Sequence, residues 1–294
     1  MSRYLNPQSD LVFKRVFGEH KRLLLSFLNA ILPLEANQQI VSLEYLSAEQ
    51  APQLPELKRP IVDVKCTDQQ GRIFIVEMQI EWVTEFMQRM LFNTSTAYIK
   101  QLPRGVNYTF LQPVYGVALL ANDFEQESAQ WYHHYKMVNI ADTGKTIEGL
   151  QLVFIELQKF KARRTREKTL QALWLRFMSE LDEHTFEVPE EILSVKEIEE
   201  AVILSQESAY TLAELEYYEK YWDSVSMEKT LLSSRYAEGE QIGLEKGEQI
   251  GLEKGRAEGH QKLVNIAREM LAAKMDIATI VKLTGLSEEI VRTL

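Results

Sequence analysis

Apolar and polar positions follow two different rhythms along this chain. Over SDLVFKRVFGEHKRLLLSFLNAIL the apolar residues recur at helical spacing, which predicts two helices. Ser9 serves the first as N-cap, Phe13 and Phe17 lie four apart, and Gly18 closes it. Leu24, Phe27, Leu28 and Ile31 give the second an apolar stripe that stops before Pro33. A polar connection through Pro52, Pro55 and Pro60 leads to KRPIVDVKCTDQQGRIFIVEMQIEW, whose β-branched runs flank DQQGR in the pattern of a hairpin. VTEFMQRMLFNTSTAYIKQL returns to helical spacing until Pro103 and Gly105. PVYGVALLAN fits a buried strand, and WYHHYKMVNI and LQLVFIEL fit two more, the last ending near Lys159 and Phe160. From Arg163 onward the pattern is helical. The order predicts an α/β layered core, a boundary near residue 162, and a separate all-helical region.

Within that helical region the octapeptide GEQIGLEK occupies residues 239–246 and again 247–254. Glycine recurs at every fourth position from Gly239 to Gly259. In a helix each glycine costs about 1 kcal/mol relative to alanine, so six cost about 6 kcal/mol. A second helix packed closely over the stripe would offset this and implies self-association; a solvated linker is the competing reading. A four-residue step advances about 40° on a 3.6-residue helix, so the stripe winds around the axis. The last 34 residues, which include KLVNIAREMLAAKM, predict an amphipathic helix and two short ones around Gly285, with Ser287 as N-cap. The arrangement resembles a helix-turn-helix, yet its final helix offers only Arg292 as a basic group. That scarcity favours a helical cap or protein-contact module over a groove reader.

Composition narrows the class. Of 294 residues, 45% are hydrophobic and 26% charged, which excludes wholesale disorder. No apolar run reaches the roughly 18 residues that span a bilayer, and MSRYLNPQSD lacks the apolar stretch of a signal peptide. The single cysteine, Cys66, has no internal partner, in keeping with a reducing compartment. A cytoplasmic protein with no membrane association is expected. Net charge is −10, but residues 1–112 carry +1 and the remainder −11, so the acidity belongs to the C-terminal part. This balance disfavours tight binding of nucleic acid by the whole surface and leaves a local phosphate site open.

The hairpin carries the chemistry. With Gln69-Gln70-Gly71 as a three-residue loop, Gly71 takes the left-handed position of a G1 bulge, and paired residue numbers sum to 140. Asp68 then faces Arg72, and Asp63 faces Glu77, with Gln79 on the same side as Glu77. Opposed like charges destabilise a hairpin and demand a counter-charge. Either a hard divalent cation supplies it, Mg²⁺ being suited to carboxylate oxygens, or Asp63 and Glu77 pair with Lys58, Arg59, Lys65 or Arg89 on an exposed face.

The spacing Asp63, Glu77, Gln79 resembles the PD-(D/E)XK nuclease superfamily. With SDLVFKRVFG, IVDVKCTDQQGRIFIVEMQ and FMQRMLFNTSTAYIKQL, residues 5–160 resemble its recombination-promoting nuclease/transposase family. The resemblance implies a restriction-endonuclease-like core, a central mixed sheet flanked by helices. It also implies Mg²⁺, with Mn²⁺ as a substitute, bound by Asp63, Glu77 and the Met78 carbonyl beside a scissile phosphate. On this basis the expected divisions are a nuclease-like domain (1–162), a helical region (163–236), the glycine repeat (237–260) and the helix-turn-helix-like module (261–294).

The expected activity is a Mg²⁺-dependent DNA endonuclease of low sequence specificity, linked to recombination or mobile elements. The alternative is an inactive nuclease-fold module for binding and assembly. Val62 stands where the motif has proline, and Gln79 where it has lysine; a neutral amide neither takes a proton nor neutralises phosphate, so either the metal does more of the activation or Arg89 or Lys65 supplies positive charge. Asp10 is the candidate accessory acid or simply a helix-dipole charge, and Lys14 reaches either a phosphate or Asp10 one turn away. Tyr98 and Gln101 resemble family positions, but core packing and ordinary surface polarity explain such residues more often. His133 and His134 are adjacent on a strand and therefore face opposite sides, a poor joint metal site. DNA and a second copy of the chain are the expected partners.

Overall fold

The computed structural model describes residues 3–47, 63–80, 85–102, 105, 107–124, 127–161 and 169–294. Pro52, Pro55, Lys58, Arg59, Pro60, Val62, Pro103 and Arg163, together with the expected first turn of the helix at Val83, lie outside these. Two compact units divide the chain, Met1–Ser226 and Met227–Leu294.

Helix α1 (Asp10–Phe13) starts at Ser9, whose hydroxyl oxygen accepts the Val12 N–H. Instead of continuing as an ordinary helix, the chain widens into a π turn over Lys14–Gly18 before α2 (Lys21–Ile31). The wider turn lies where Phe13 packs on Phe17 at 5.0 Å and Phe17 on Phe27 at 4.7 Å. A short strand, β1 (Leu43–Tyr45), precedes the hairpin of β2 (Val64–Asp68) and β3 (Ile73–Gln79). Three residues were too few to register as a period in the sequence. Helix α3 (Glu85–Ile99) follows, then β4 (Val114–Leu120), β5 (Tyr132–Asn139) and β6 (Asp142–Glu156). Strand β6 begins earlier than its apolar run, because its polar first half pairs only with β5. It also ends at Glu156, and Leu157–Lys161 form helix α4.

The sheet order is β1-β2-β3-β4-β6-β5. Strands β3, β4 and β6 run parallel, and the outer pairings are antiparallel. Strand β4 is buried at every position, as a central parallel strand between two covered faces should be. One face carries Val64, Cys66, Phe74, Val76, Val117 and Val153 into the main core; the other carries Ile73, Ile75, Ala118 and Phe154 against Phe86 and Met90 of α3. Burial pushes the Cys66 thiol up to about 12, so it acts as an apolar core group.

Gly116 of β4 sits where α3 crosses most closely. A Cβ there would lie 2.6 Å from Thr94 Cγ2 and 2.9 Å from Leu152 Cδ2. Gly116→Ala is therefore expected to lower stability by about 1–3 kcal/mol, read as a shift of the urea midpoint.

Helices α5 (Leu170–Glu180), α6 (Glu190–Leu193) and α7 (Lys196–Leu204) belong to the same unit as the sheet. Trp174 of α5, fully buried, meets Phe17 and Phe27 at 5.6 and 5.8 Å. The main core thus crosses residue 162 and extends to Tyr218 at the start of α8 (Leu212–Ala272). In the second unit, α8 is exposed through the glycine repeat, and a Cβ at any of the six glycines would meet nothing within 4 Å. Its last turns pack Val264 and Ala267 with α9 (Ile277–Thr284) and α10 (Glu288–Thr293), through Ile280, Leu286 and Val291. Gly285 caps α9 at φ +70°, and Ser287 caps α10 by accepting the Ile290 N–H. Among the described residues, no helix is long and apolar enough to cross a membrane.

Candidate functional site

The hairpin adopts the expected register: Val64 pairs Val76, Lys65 pairs Ile75 and Cys66 pairs Phe74. Gly71 takes φ +80°, and Asp68 and Arg72 close the turn with a buried ion pair at 2.6 Å. Asp63 lies one step beyond the last of these pairs. There the Asp63 carboxylate, through Oδ2, accepts the Met78 N–H at 2.7 Å. Even-numbered residues of β3 bond toward β2, so the Met78 carbonyl points to the same edge as that N–H.

Glu77 follows Val76, the partner of Val64, and is only 4% exposed. Its Oε1 accepts from Asn93 Nδ2 of α3 at 2.8 Å, and its Oε2 lies 3.6 Å from Arg89 Nη2. Arg89 also donates to Gln79 Oε1 at 2.7 Å, so one guanidinium joins both positions of β3. Burial pushes the Asp63 and Glu77 carboxyl groups above the ordinary range. For Asp63 the Met78 N–H and the charges of Lys14 and Arg89 oppose that rise, while Asp10 adds to it. For Glu77, Asn93 and Arg89 oppose it and Asp63 adds to it.

Asp10 reaches the site from α1. Lys14 Nζ bridges its Oδ1 at 2.7 Å, and Tyr217 of α8 donates to its Oδ2 at 3.1 Å. Burial draws the Lys14 ammonium down, but its hydrogen bond to Asp10 and the Asp10 and Asp63 charges raise it overall. Of the two readings of Lys14, the structure shows the pairing with Asp10. Lys65 stands apart, two positions back beside Ile75; burial first, then the charge of Lys100, holds its ammonium below the usual range.

Sequence reasoning missed Asn93, Tyr217 and Tyr221. Asn93 had a signal, a polar residue one turn after Arg89 on a helix face that is otherwise buried. The tyrosines had none, because some 150 residues separate them from the hairpin. Gln101 proves structural: its amide exchanges hydrogen bonds with the Gln112 backbone, both at 2.9 Å. His133 and His134 part as expected, to Glu156 and Gln151.

Two carboxylates and a backbone carbonyl gathered at one strand end form a hard-oxygen donor set. Among the described residues no group of three or more His, Cys, Asp or Glu side chains gathers as a metal site, so the carbonyl would be needed as a third ligand. A mixed sheet, flanked by helices and presenting such a hairpin, is the PD-(D/E)XK nuclease fold. The chain belongs to the family described as PD-(D/E)XK nuclease family transposase, whose model matches residues 7–231. Residues 260–294 match the Rpn/YhgA-like nuclease family, C-terminal HTH domain, in keeping with the helix-turn-helix resemblance and against the preference for a protein-contact module. No match is found among curated proteins or among solved structures.

Proposed function

We propose that this protein is a Mg²⁺-dependent DNA endonuclease of low sequence specificity, acting in recombination or on mobile elements. The observation that carries the reading is the meeting of Asp63 and Glu77 at the open end of the hairpin, each disfavoured as an anion by burial. Asp63, Glu77 and the Met78 carbonyl would hold the ion, and Mn²⁺ would substitute. When bound, such an ion lowers the pKa of water and neutralises charge on the phosphate. The chain supplies the rest. Met78 N–H orients Asp63 and Asn93 orients Glu77, each through one oxygen. Arg89 provides the positive charge that Gln79 lacks; always protonated, it stabilises phosphate and takes no proton. Gln79, held by Arg89, orients water or phosphate as a neutral amide. Asp10 acts as accessory acid with Lys14 beside it, and Lys65 serves as an outlying phosphate contact.

The deciding experiment is plasmid nicking with and without Mg²⁺, for the unaltered chain and for Asp63→Ala. Nicking that requires Mg²⁺ and disappears in the variant supports the reading; nicking that survives in the variant removes the site. Gln79 in place of lysine favours one other reading, an inactive module for binding and assembly. Calorimetry that detects no Mg²⁺ or Mn²⁺ binding at millimolar concentration would favour that module.

Arg89 offers a separate check. If its guanidinium meets phosphate, Arg89→Ala is expected to flatten the plot of log binding constant against log salt by about 0.9 for duplex DNA. An unchanged slope would assign Arg89 to Glu77 and Gln79 alone. The helix-turn-helix unit supplies a second DNA contact, and self-association runs through the exposed part of α8, where Ile242, Leu244, Ile250 and Leu252 stand in solvent.

A further inference from the structure

The catalytic hairpin and α1 are not the whole of the site, because the first turns of α8 also reach it. Two hydrogen bonds hold the Asp10 carboxylate: Lys14 takes Oδ1 and Tyr217 donates to Oδ2. Tyr217 and Tyr221 lie four apart and therefore on one face of α8. The same face continues to Val225, which with Tyr221 and Trp222 packs on Ile80, the residue after Gln79, and on Met78. One helix face thus grips the accessory acid at one end and the chain leaving β3 at the other. Tyr221 lies within electrostatic reach of Asp63 as well as Asp10.

We infer that Tyr217 is a positioning residue for phosphodiester hydrolysis, fixing the Asp10 carboxylate relative to Asp63 and Glu77. The inference rests on the nuclease reading above. Its physical basis is orientational: a short acidic side chain on a four-residue helix has little of its own to hold it. Each carboxylate oxygen has two lone pairs, so a bond from Lys14 or Tyr217 directs the oxygen and leaves it capacity for water. The ring of Tyr217 is half-exposed, so removal of its hydroxyl leaves packing nearly untouched.

The test uses the full-length chain in a double-mutant cycle of Tyr217→Phe and Asp10→Asn. Thermal melting and Mg²⁺-dependent plasmid nicking are measured for each. Tyr217→Phe is expected to lower kcat about tenfold, the worth of one hydrogen bond to a charged group, with KM and melting temperature unchanged. In the Asp10→Asn background the same change should have no further effect. An equal loss in both backgrounds, or a loss confined to KM, would overturn the inference. So would full activity of Tyr217→Phe when the unaltered chain nicks DNA. If the unaltered chain does not nick DNA with Mg²⁺, the nuclease reading itself fails and takes this inference with it.

Discussion

Glu77→Gln and Asp63→Ala should each reduce Mg²⁺-dependent nicking by at least about a thousandfold, since a metal site that loses a carboxylate loses several kcal/mol of transition-state stabilisation. A second expectation separates this from damage to the fold. Without metal, Glu77 is buried and its carboxyl is pushed upward, by burial first and by Asp63 in addition. Its protonated form is therefore favoured in the folded chain more than in the unfolded one. The folded state holds the extra proton between the unfolded and folded pKa values, so stability falls as pH rises through that window, and the full penalty stands above it. Asp63 behaves in the same sense. In EDTA at pH 7, Glu77→Gln should melt higher than the unaltered chain, and the difference should vanish below the ordinary carboxylate range. Millimolar Mg²⁺ should stabilise the unaltered chain and leave the variant unmoved. A variant that melts lower in EDTA at pH 7 would assign Glu77 to structure instead of ion binding.

Changing Gly239, Gly243, Gly247, Gly251, Gly255 and Gly259 to alanine together is expected to strengthen the exposed part of α8 by up to about 6 kcal/mol, about 1 per site. Nothing stands within 4 Å of an added Cβ at any of the six, so no overpacking offsets the gain. Helical circular dichroism at high dilution would show it as persistence to higher temperature. The self-association proposal adds an opposite effect. Two helices that approach closely over glycine are forced apart by methyl groups, so the mass measured by light scattering should fall toward one chain. Retained mass with increased helicity would confine the glycines to a solvated spacer.

The hairpin was the most legible part of the sequence. A glycine fixed the loop, and the loop fixed the register that β2 and β3 adopt, with Asp68 against Arg72 at the turn. Local chemistry determines these features, so local sequence contains them. The π turn after Phe13 was not legible, because an i→i+5 turn and an α turn share nearly the same apolar spacing. Asn93 could have been found on α3 by its place after Arg89. Tyr217 could not, since only the packing of α5, α7 and α8 on the sheet carries it back to Asp10. The domain division near residue 162 followed the change to an all-helical pattern after Arg163, whereas burial of Trp174 against Phe17 and Phe27 joins α5 to the main core. The scarcity of arginine misdirected the weighing of the last helices, because a helix-turn-helix is defined by its caps and apolar contacts, which Ser287, Gly285 and Ile280 supply.

At the Val64 end of β2 it is an acid, Asp63, that takes the amide of Met78. A β-branched residue at position 63 would leave that amide without this acceptor, even with Glu77 and Arg89 untouched. On the reading proposed above, the aspartate therefore has two duties, to bind an ion and to hold the edge of β3 beside it.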